Sequence, residues 1–287
     1  MCISYMALLS RIILLGFERI VVKMLGNDAN PSAALMLFVG LATLFLSPFV
    51  CFILMSENVD WNFLKYVAGS SVIYSFAFLL YIKALAEGEV SLVSPLYNFN
   101  ILFLLLLSVV FLSESLSVMK GVGLFFLLYG ATFLNRQKNI YQSLKALFVD
   151  RPCQMMMVSS LLLAIGRVID KGNVSTTSPV LYSFFLYFFV TLYLGIWLVI
   201  TGAFKEVFSL FHCRPWVSLA SGFINAYAYL CLLIAFQSVE VSIAEPLSML
   251  SMVVTLLLSV IVFKEKIRQR ITGVLLMFVG AWFLFSF

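Results

Sequence analysis

The chain of 287 residues is 63% hydrophobic and only 11% charged, and its mean hydropathy is +1.10. A soluble domain is about 45–50% apolar and about 25% charged, so a water-soluble core could not bury this much apolar surface. The formal charge of +5 comes from basic residues in short loops between apolar runs, which indicates membrane orientation rather than nucleic-acid binding. The composition therefore predicts an integral membrane protein.

Apolar runs recur along the chain, each long enough to cross a bilayer core of about 30 Å as a helix. We expect ten transmembrane helices, at 4–25, 32–55, 63–85, 89–112, 118–135, 154–174, 179–201, 215–237, 241–263 and 270–287. The longest polar stretch, 135–154, is too short for a nucleotide-binding domain. Any transport by this chain would therefore be driven by a gradient.

The second half of the sequence repeats the first. The matches involve charged residues, proline and glycine, which rarely coincide by chance in an apolar chain. At an offset of 151, Glu89, Pro95 and Glu114 fall on Glu240, Pro246 and Glu265; at 150, Gly123 and Gly130 fall on Gly273 and Gly280; at 148, Arg19 and Lys23 fall on Arg167 and Lys171. We predict two five-helix units, 1–136 and 153–287, with a connecting loop at 137–152. Because five is odd, the second unit is inverted, and the substrate would bind near the midplane between the units.

Two segments, residues 84–134 and 235–284, carry a family resemblance. In each, an alanine ends the third helix of the unit, a proline lies early in the fourth, a glutamate follows, and two glycines recur along the fifth. The pattern resembles the ten-helix EamA-like branch of the drug/metabolite transporter superfamily. The resemblance implies ten helices around a central cavity, lined mainly by the first, third and fourth helix of each unit. It also implies transport, often outward, of amino acids, nucleobase-like compounds, other metabolites or drugs.

The fourth helix of each unit contains a proline, but only the second copy carries an acid. Glu245 directly precedes Pro246, whereas Ser94 precedes Pro95. We interpret Glu245 either as a carboxylate that binds a proton or a substrate amine, or as an acid in the first helical turn. Each proline either begins its helix or kinks it and frees a backbone carbonyl. Ser94 would face the same site.

Charged residues also lie within the first and sixth predicted helices. Glu18 and Arg19 belong to the first, and Arg167 and Asp170 to the sixth. Asp170 can reach Arg167 three residues away, and Glu18 can pair across helices. These four residues form either structural ion pairs or a set that binds an anionic substrate group or gates one end of the transport path.

Polar side chains in the third and fourth helices of the units complete the candidate site. We expect Tyr74, Asn98 and Asn225 to line the cavity, and Tyr229 shares a helix face with Asn225 four residues earlier. Interhelical hydrogen bonding is the competing explanation. The repeated glycines are predicted to allow close helix packing instead; they are Gly123, Gly130, Gly273 and Gly280.

Neither a metal site nor an enzyme is expected. The only histidine, His212, lies in a polar connection, and the five cysteines are scattered without a CxxC pair. The sequence has no HExxH or GxSxG motif, and no cofactor is expected.

We predict a secondary active transporter, an exporter, of a small metabolite such as an amino acid or an amine. It would use alternating access, with protons as a candidate coupling ion. The alternative is a translocase of lipid-linked or amphipathic molecules, which a lateral opening lined by apolar residues would favour. The expected partners are the substrate and the lipid bilayer, and nucleic acid is not expected. The chain would lie in the plasma or bacterial inner membrane as a monomer or homodimer.

The loop charges and the resemblance disagree about orientation. Most lysines and arginines lie in the odd-numbered connections, which the positive-inside rule places in the cytoplasm, with both termini outside. The resemblance implies cytoplasmic termini. The charges favour the first topology.

Overall fold

The structure is a computed structural model that describes residues 2–56, 61–97, 99–112, 118–131, 133, 148–174, 177–236, 248, 250–265 and 271–285. The regular elements in these ranges are helices. In chain order they are α1 (Cys2–Gly26), α2 (Pro31–Ser56), a 3-10 turn (Trp61–Phe63), α3 (Leu64–Glu87), α4 (Val90–Leu96), α5 (Phe99–Leu112), α6 (Val118–Ala131), α7 (Arg151–Val174), α8 (Pro179–Ile200), α9 (Phe204–Cys213), α10 (Pro215–Phe236), α11 (Ser251–Phe263) and α12 (Ile271–Phe285).

Five segments of the described chain are long and apolar enough to cross a membrane. They are Pro31–Met55, Trp61–Glu87, Arg151–Asp170, Pro179–Ile200 and Pro215–Ala235. Helix α1 spans 25 residues but carries four charged side chains, which lower its hydropathy. The predicted all-α membrane fold is confirmed.

The fourth predicted span consists of two helices. α4 ends at Leu96 and α5 begins at Phe99, so the helix stops one residue after Pro95. Pro95 therefore lies inside α4, and the interpretation that it begins the helix is wrong. The Ser160 hydroxyl of α7 donates to the Met156 carbonyl of its own helix at 2.8 Å and lies within 3.3–3.4 Å of the Tyr97 and Leu96 carbonyl oxygens at the break. Pro246, the counterpart of this proline, lies outside the described residues.

Helix α9 is an element that the sequence analysis missed. It occupies the connection between the seventh and eighth predicted spans and packs against α2, α8 and α10. Val207 is buried, whereas Lys205, Glu206 and His212 are exposed. Its apolar residues recur at helical spacing, so α9 is an amphipathic helix that covers one end of α2.

The helix directions show that the two halves are inverted. Lys23, near the end of α1, donates to the carbonyl of Gly88, just beyond the end of α3, at 2.8 Å. α1 and α3 therefore end on the same side and run parallel. Pro152, at the start of α7, also lies beside Gly88. α7 therefore runs antiparallel to α3, and the first helices of the two halves point in opposite directions, as predicted.

The inversion extends to individual hydrogen bonds. Arg11 of α1 donates to the carbonyl of Ala228 in α10 at 2.8 Å. Ser159 of α7 donates to the carbonyl of Ala77 in α3 at 2.7 Å. The two donors are 148 residues apart and the two acceptors 151 residues apart, which are the offsets of the sequence repeat. In each half, the first helix thus packs on the third helix of the other half.

Two of the repeated glycines meet at the contact of α6 with α12. A Cβ on Gly130 would lie 2.7 Å from the Gly273 carbonyl oxygen, and one on Gly273 would lie 2.6 Å from the Gly130 oxygen. Only glycine allows the two backbones to approach this closely. The predicted close packing is confirmed for this pair.

Candidate functional site

Asp170 lies at the centre of a buried tyrosine cluster. It is near the end of α7 and is 5% exposed. Three hydroxyls donate to its carboxylate: those of Tyr74 in α3, Tyr182 in α8 at 2.6 Å, and Tyr229 in α10 at 2.9 Å. Hydrogen bonds to an ionised carboxylate are among the stronger ones, so these hydroxyls stabilise the acid in place of the expected ion pair with Arg167.

Glu18, the second buried acid, also bonds to a tyrosine. It is 8% exposed and accepts a hydrogen bond of 3.0 Å from Tyr81 of α3. Tyr74 and Tyr81 are seven residues apart and therefore share one face of α3. α3 thus contacts one acid from each half of the chain, Asp170 through Tyr74 and Glu18 through Tyr81.

Two arginines at equivalent positions of the halves meet at one tyrosine. Tyr97 follows α4 at the break in the fourth span. The Arg19 guanidinium lies over its ring, 5.2 Å from the centroid, and Arg167 donates to its hydroxyl at 2.9 Å. The ring also packs edge-on against Tyr81. This tyrosine was not predicted, although its position two residues after Pro95 was a signal for it.

Four buried polar atoms have no hydrogen-bond partner among the described residues. They are Arg19 Nε, Ser94 Oγ, Asn100 Oδ1 and Ser251 Oγ. Asn100 and Ser251 are counterparts at the offset of 151, and Ser94 is the counterpart of Glu245. Unpaired buried polar atoms are rare in folded proteins. These atoms belong to α1 and to the fourth helices of the two units, where the candidate site was predicted.

Arg11 is a buried residue whose role the sequence analysis missed. It is 3% exposed, and it donates to Ser248 Oγ at 3.0 Å as well as to the Ala228 carbonyl. Its charge is thereby held by polar groups of the second half. An arginine inside an apolar run was the available signal, because charges within membrane helices usually have a partner.

Asn225 holds three helices together. Its side-chain oxygen accepts a hydrogen bond from Tyr187 of α8 at 2.8 Å, and its side-chain nitrogen donates to the Phe38 carbonyl of α2 at 3.1 Å. The residue is 4% exposed. These contacts favour interhelical hydrogen bonding, the competing explanation, over a cavity-lining role.

Replacing Asn225 by Leu should destabilise the protein by about 1 kcal/mol, because it removes the hydrogen bonds of the side chain with the Tyr187 hydroxyl and the Phe38 carbonyl. Chemical unfolding of the purified protein would measure this. In a double-mutant cycle, Asn225→Leu and Tyr187→Phe together should cost less stability than the sum of the two single losses. Both substitutions remove the same hydrogen bond between Tyr187 and Asn225. Strictly additive effects of the two substitutions would contradict the assignment.

Glu265 joins the two halves at the end of the molecule where α1 and α3 terminate. It follows α11 and accepts hydrogen bonds from the backbone N–H groups of Val90, at 3.0 Å, and Ser91, at 2.8 Å. It also forms an ion pair with Lys23 at 3.3 Å. A carboxylate there satisfies free donors at the start of α4. We call the Lys23–Glu265 pair, with its bonds to Val90 and Ser91, the end clasp.

The end clasp should make stability depend on pH. Burial raises the pKa of Glu265, but hydrogen bonds from Ser91, the Lys23 charge and the bond from Val90 outweigh burial and hold the pKa below its ordinary 4.5. A lowered pKa stabilises the fold above the ordinary value, and this stabilisation is lost as the pH falls through the lowered value. The melting temperature of wild type should therefore exceed that of Glu265→Gln at neutral pH, and the difference should shrink below about pH 4.5.

Glu87 provides the matched control for this measurement. It is a half-exposed glutamate whose ion pair with Lys83 has a length of 4.0 Å. Glu87→Gln should change the melting temperature little at any pH. A Glu265→Gln deficit that persists unchanged into acid would contradict the end clasp.

Some of the predicted site residues meet at shared partners in the structure, and two are not described by it. Tyr74, Tyr229 and Asp170 share one cluster, and Arg19 and Arg167 share Tyr97. Asn98 and Glu245 lie outside the described residues. The network links α1, α3, α4, α7, α8, α10 and α11, so it crosses between the two halves.

A model of the EamA-like transporter family matches residues 3–136 and 151–286. One solved structure, described only as "Crystal structure of protein", matches with a TM-score of 0.56 at 13% identity, over 99% of this chain and 97% of that chain. At this identity the likeness concerns the fold alone. No curated protein matches. Because the family model spans nearly the whole chain in two copies, the chain belongs to the EamA-like transporter family and is a multi-pass membrane transporter of small molecules.

Proposed function

We propose that this chain is a secondary active transporter of a small metabolite such as an amino acid or an amine. It works by alternating access between its two halves and couples transport to protons through Asp170. The observation that carries the proposal is the bond between Tyr74 and Asp170, in which a buried acid of the second half accepts from a helix of the first. Inverted repeats with a buried polar centre between them are typical of gradient-driven carriers.

The geometry around Asp170 links proton binding to the contact between the halves. The ionised carboxylate accepts from three hydroxyls. A protonated acid carries a donor of its own, so one hydroxyl must turn to accept from it or move away. Tyr182 and Tyr229 belong to the same half as Asp170, whereas Tyr74 belongs to the other. We propose that Tyr74 is the hydroxyl that gives way, so that proton binding weakens the packing of α3 on α7 and shifts the population toward a state in which the halves have moved apart.

The alternative function, translocation of lipid-linked molecules, gains no support from the apolar groove on the outer surface. This groove of about 500 Å3 is formed by α8 and the start of α9, within the second half alone. Its lining residues are Phe188, Thr191, Leu192, Gly195, Ile196, Val199, Ile200 and Phe204. None of them belongs to the polar network described above, so the groove is not a lateral opening to that network.

Reconstituted transport tests the proposal. The full chain in proteoliposomes would be offered labelled amino acids, nucleosides and amines, with and without a pH gradient, and protein-free liposomes would serve as the control. At least one amino acid or amine should accumulate above equilibrium with the gradient, and a protonophore should abolish the accumulation. If a pH gradient never alters the flux of any compound, proton coupling is wrong.

A further inference from the structure

Arg19 is a buried cation with a hydrogen-bond donor to spare. The residue is 1% exposed, and one terminal nitrogen donates to Thr255 Oγ1 over a long 3.5 Å. Nε has no partner in the described part of the chain, where no carboxylate forms an ion pair with this arginine. Glu18, its sequence neighbour, bonds to Tyr81 instead. The donors of a buried guanidinium are normally paired, so the free donor points to a ligand that accepts hydrogen bonds, such as an anion.

Arg11, on the same helix, shows what a structural arginine looks like in this fold. It has two partners within 3.0 Å, Ser248 Oγ and the Ala228 carbonyl. Arg19 has a ring contact with Tyr97 and one marginal hydrogen bond. The contrast separates a residue that joins helices from one that can bind a ligand.

Two buried serines with unpaired hydroxyls lie on helices that pack against α1. Ser94 lies on α4, one turn before Tyr97, and Ser251 lies on α11, one turn before Thr255. Neither is more than 1% exposed, and neither hydroxyl has a partner among the described residues. α1, α4 and α11 pack against one another. Ser251 and Thr255 are four residues apart in α11 and share a helix face, so Ser251 lies on the face that contacts Arg19. Ser94 is joined to Tyr97 by the turn in which the Tyr97 N–H donates to the Ser94 carbonyl at 3.2 Å.

The remaining groups around Tyr97 also supply donors and positive charge. Arg167 donates to the Tyr97 hydroxyl at 2.9 Å, which leaves the hydroxyl hydrogen of Tyr97 to donate elsewhere. Arg167 adds a second guanidinium from the opposite half. A cluster of N–H and O–H donors that includes two guanidinium groups suits an oxygen-rich anion, because charge-assisted hydrogen bonds are the strong ones.

We propose that Arg19, Tyr97, Ser94 and Ser251 bind the carboxylate of the transported substrate. The inference rests on the proposed function and names its substrate class: amino acids rather than simple amines. A guanidinium with a free donor suits a planar carboxylate. The sequence left Arg19 open between a structural ion pair and anion binding, and the described contacts favour anion binding.

Ligand binding to the purified full chain tests the inference independently of transport. The common amino acids and the amines formed by their decarboxylation would be compared in matched pairs by the rise in melting temperature with concentration. Phosphonate analogues would serve as a third set. At least one amino acid should stabilise the protein, and its amine should not. The inference is overturned if an amine or a phosphonate stabilises as well as its amino acid, or if no amino acid stabilises the protein.

Variants then locate the site. Arg19→Gln should weaken amino-acid binding at least about tenfold, and Arg19→Lys should lie between it and wild type. Ser94→Ala is the sharper variant, because its hydroxyl has no bond to lose: affinity should fall while the ligand-free melting temperature stays unchanged. Ser47→Ala, which loses only an exposed bond to the Leu44 carbonyl, should change neither.

Binding and flux separate the inference from the proposed function. Wild-type affinity in both Arg19→Gln and Ser94→Ala would overturn the carboxylate site. Selective binding that these variants abolish supports the site, even if no compound is carried across the membrane. Absence of flux under every gradient would count against the proposed function alone.

Discussion

Replacing Asp170 by Asn should abolish proton-driven accumulation of substrate, lowering it at least about tenfold. The amide cannot take up a proton, yet it has nearly the shape of the acid. Its oxygen can accept from the Tyr74 and Tyr229 hydroxyls, and its nitrogen can donate to the Tyr182 hydroxyl. Exchange of labelled for unlabelled substrate without a gradient should therefore persist. The measurement is uptake into proteoliposomes with an imposed pH gradient, alongside exchange in its absence.

A variant that keeps the carboxylate serves as the control. Tyr182→Phe removes one of the three hydrogen bonds but leaves the titrating group in place. It should remain coupled, with an altered dependence of the transport rate on pH. Gradient-driven accumulation by Asp170→Asn at the wild-type level would rule out this acid as the coupling residue, and Glu245 would become the candidate.

Replacing Gly130 by Ala should cost about 1–3 kcal/mol of stability, the usual range for overpacking. The new methyl group would lie 2.7 Å from the backbone of α12, at both the Gly273 oxygen and the Met277 nitrogen. Neither helix can relieve this contact by a side-chain rotation, so the two must separate. Chemical unfolding of the purified protein would measure the loss, and Gly273→Ala should behave alike.

Gly121 provides the control on the same helix. A Cβ added there meets nothing within 4 Å. Gly121→Ala should therefore be neutral or slightly stabilising, because alanine is the better helix former. Equal stability of Gly121→Ala and Gly130→Ala would contradict the close approach of α6 and α12.

Much of the fold could be predicted because the second half of the sequence repeats the first. Repeated prolines, glycines and basic residues define the units, and an odd number of helices makes the second unit inverted. Helix α9 was missed because it is short and its apolar residues are interrupted by polar and charged ones, whereas the predicted spans were long apolar runs. The place of Pro95 in its helix could not be decided from spacing, since a proline can begin a helix or kink one.

The candidate site was predicted in its residues but not in its pairings. Asp170 and Arg167 are three residues apart on one helix, a spacing that suggests an ion pair. In the structure, tyrosines from three other helices surround the acid instead. Which tyrosine reaches an acid depends on the packing between halves, and helical periodicity does not contain that information. Asn225 was predicted to line the cavity because periodicity likewise could not show that it bonds to Tyr187 and to the Phe38 carbonyl.

Movement of the two halves against each other is the central claim, and tethering the end clasp tests it most directly. In a chain freed of native cysteines, Lys23→Cys and Glu265→Cys would be joined by a reversible bifunctional thiol reagent. These positions lie on different halves, and their native side chains meet at 3.3 Å. Transport should stop on cross-linking and return on reduction. Unchanged transport by the fully cross-linked protein would contradict alternating access through this end.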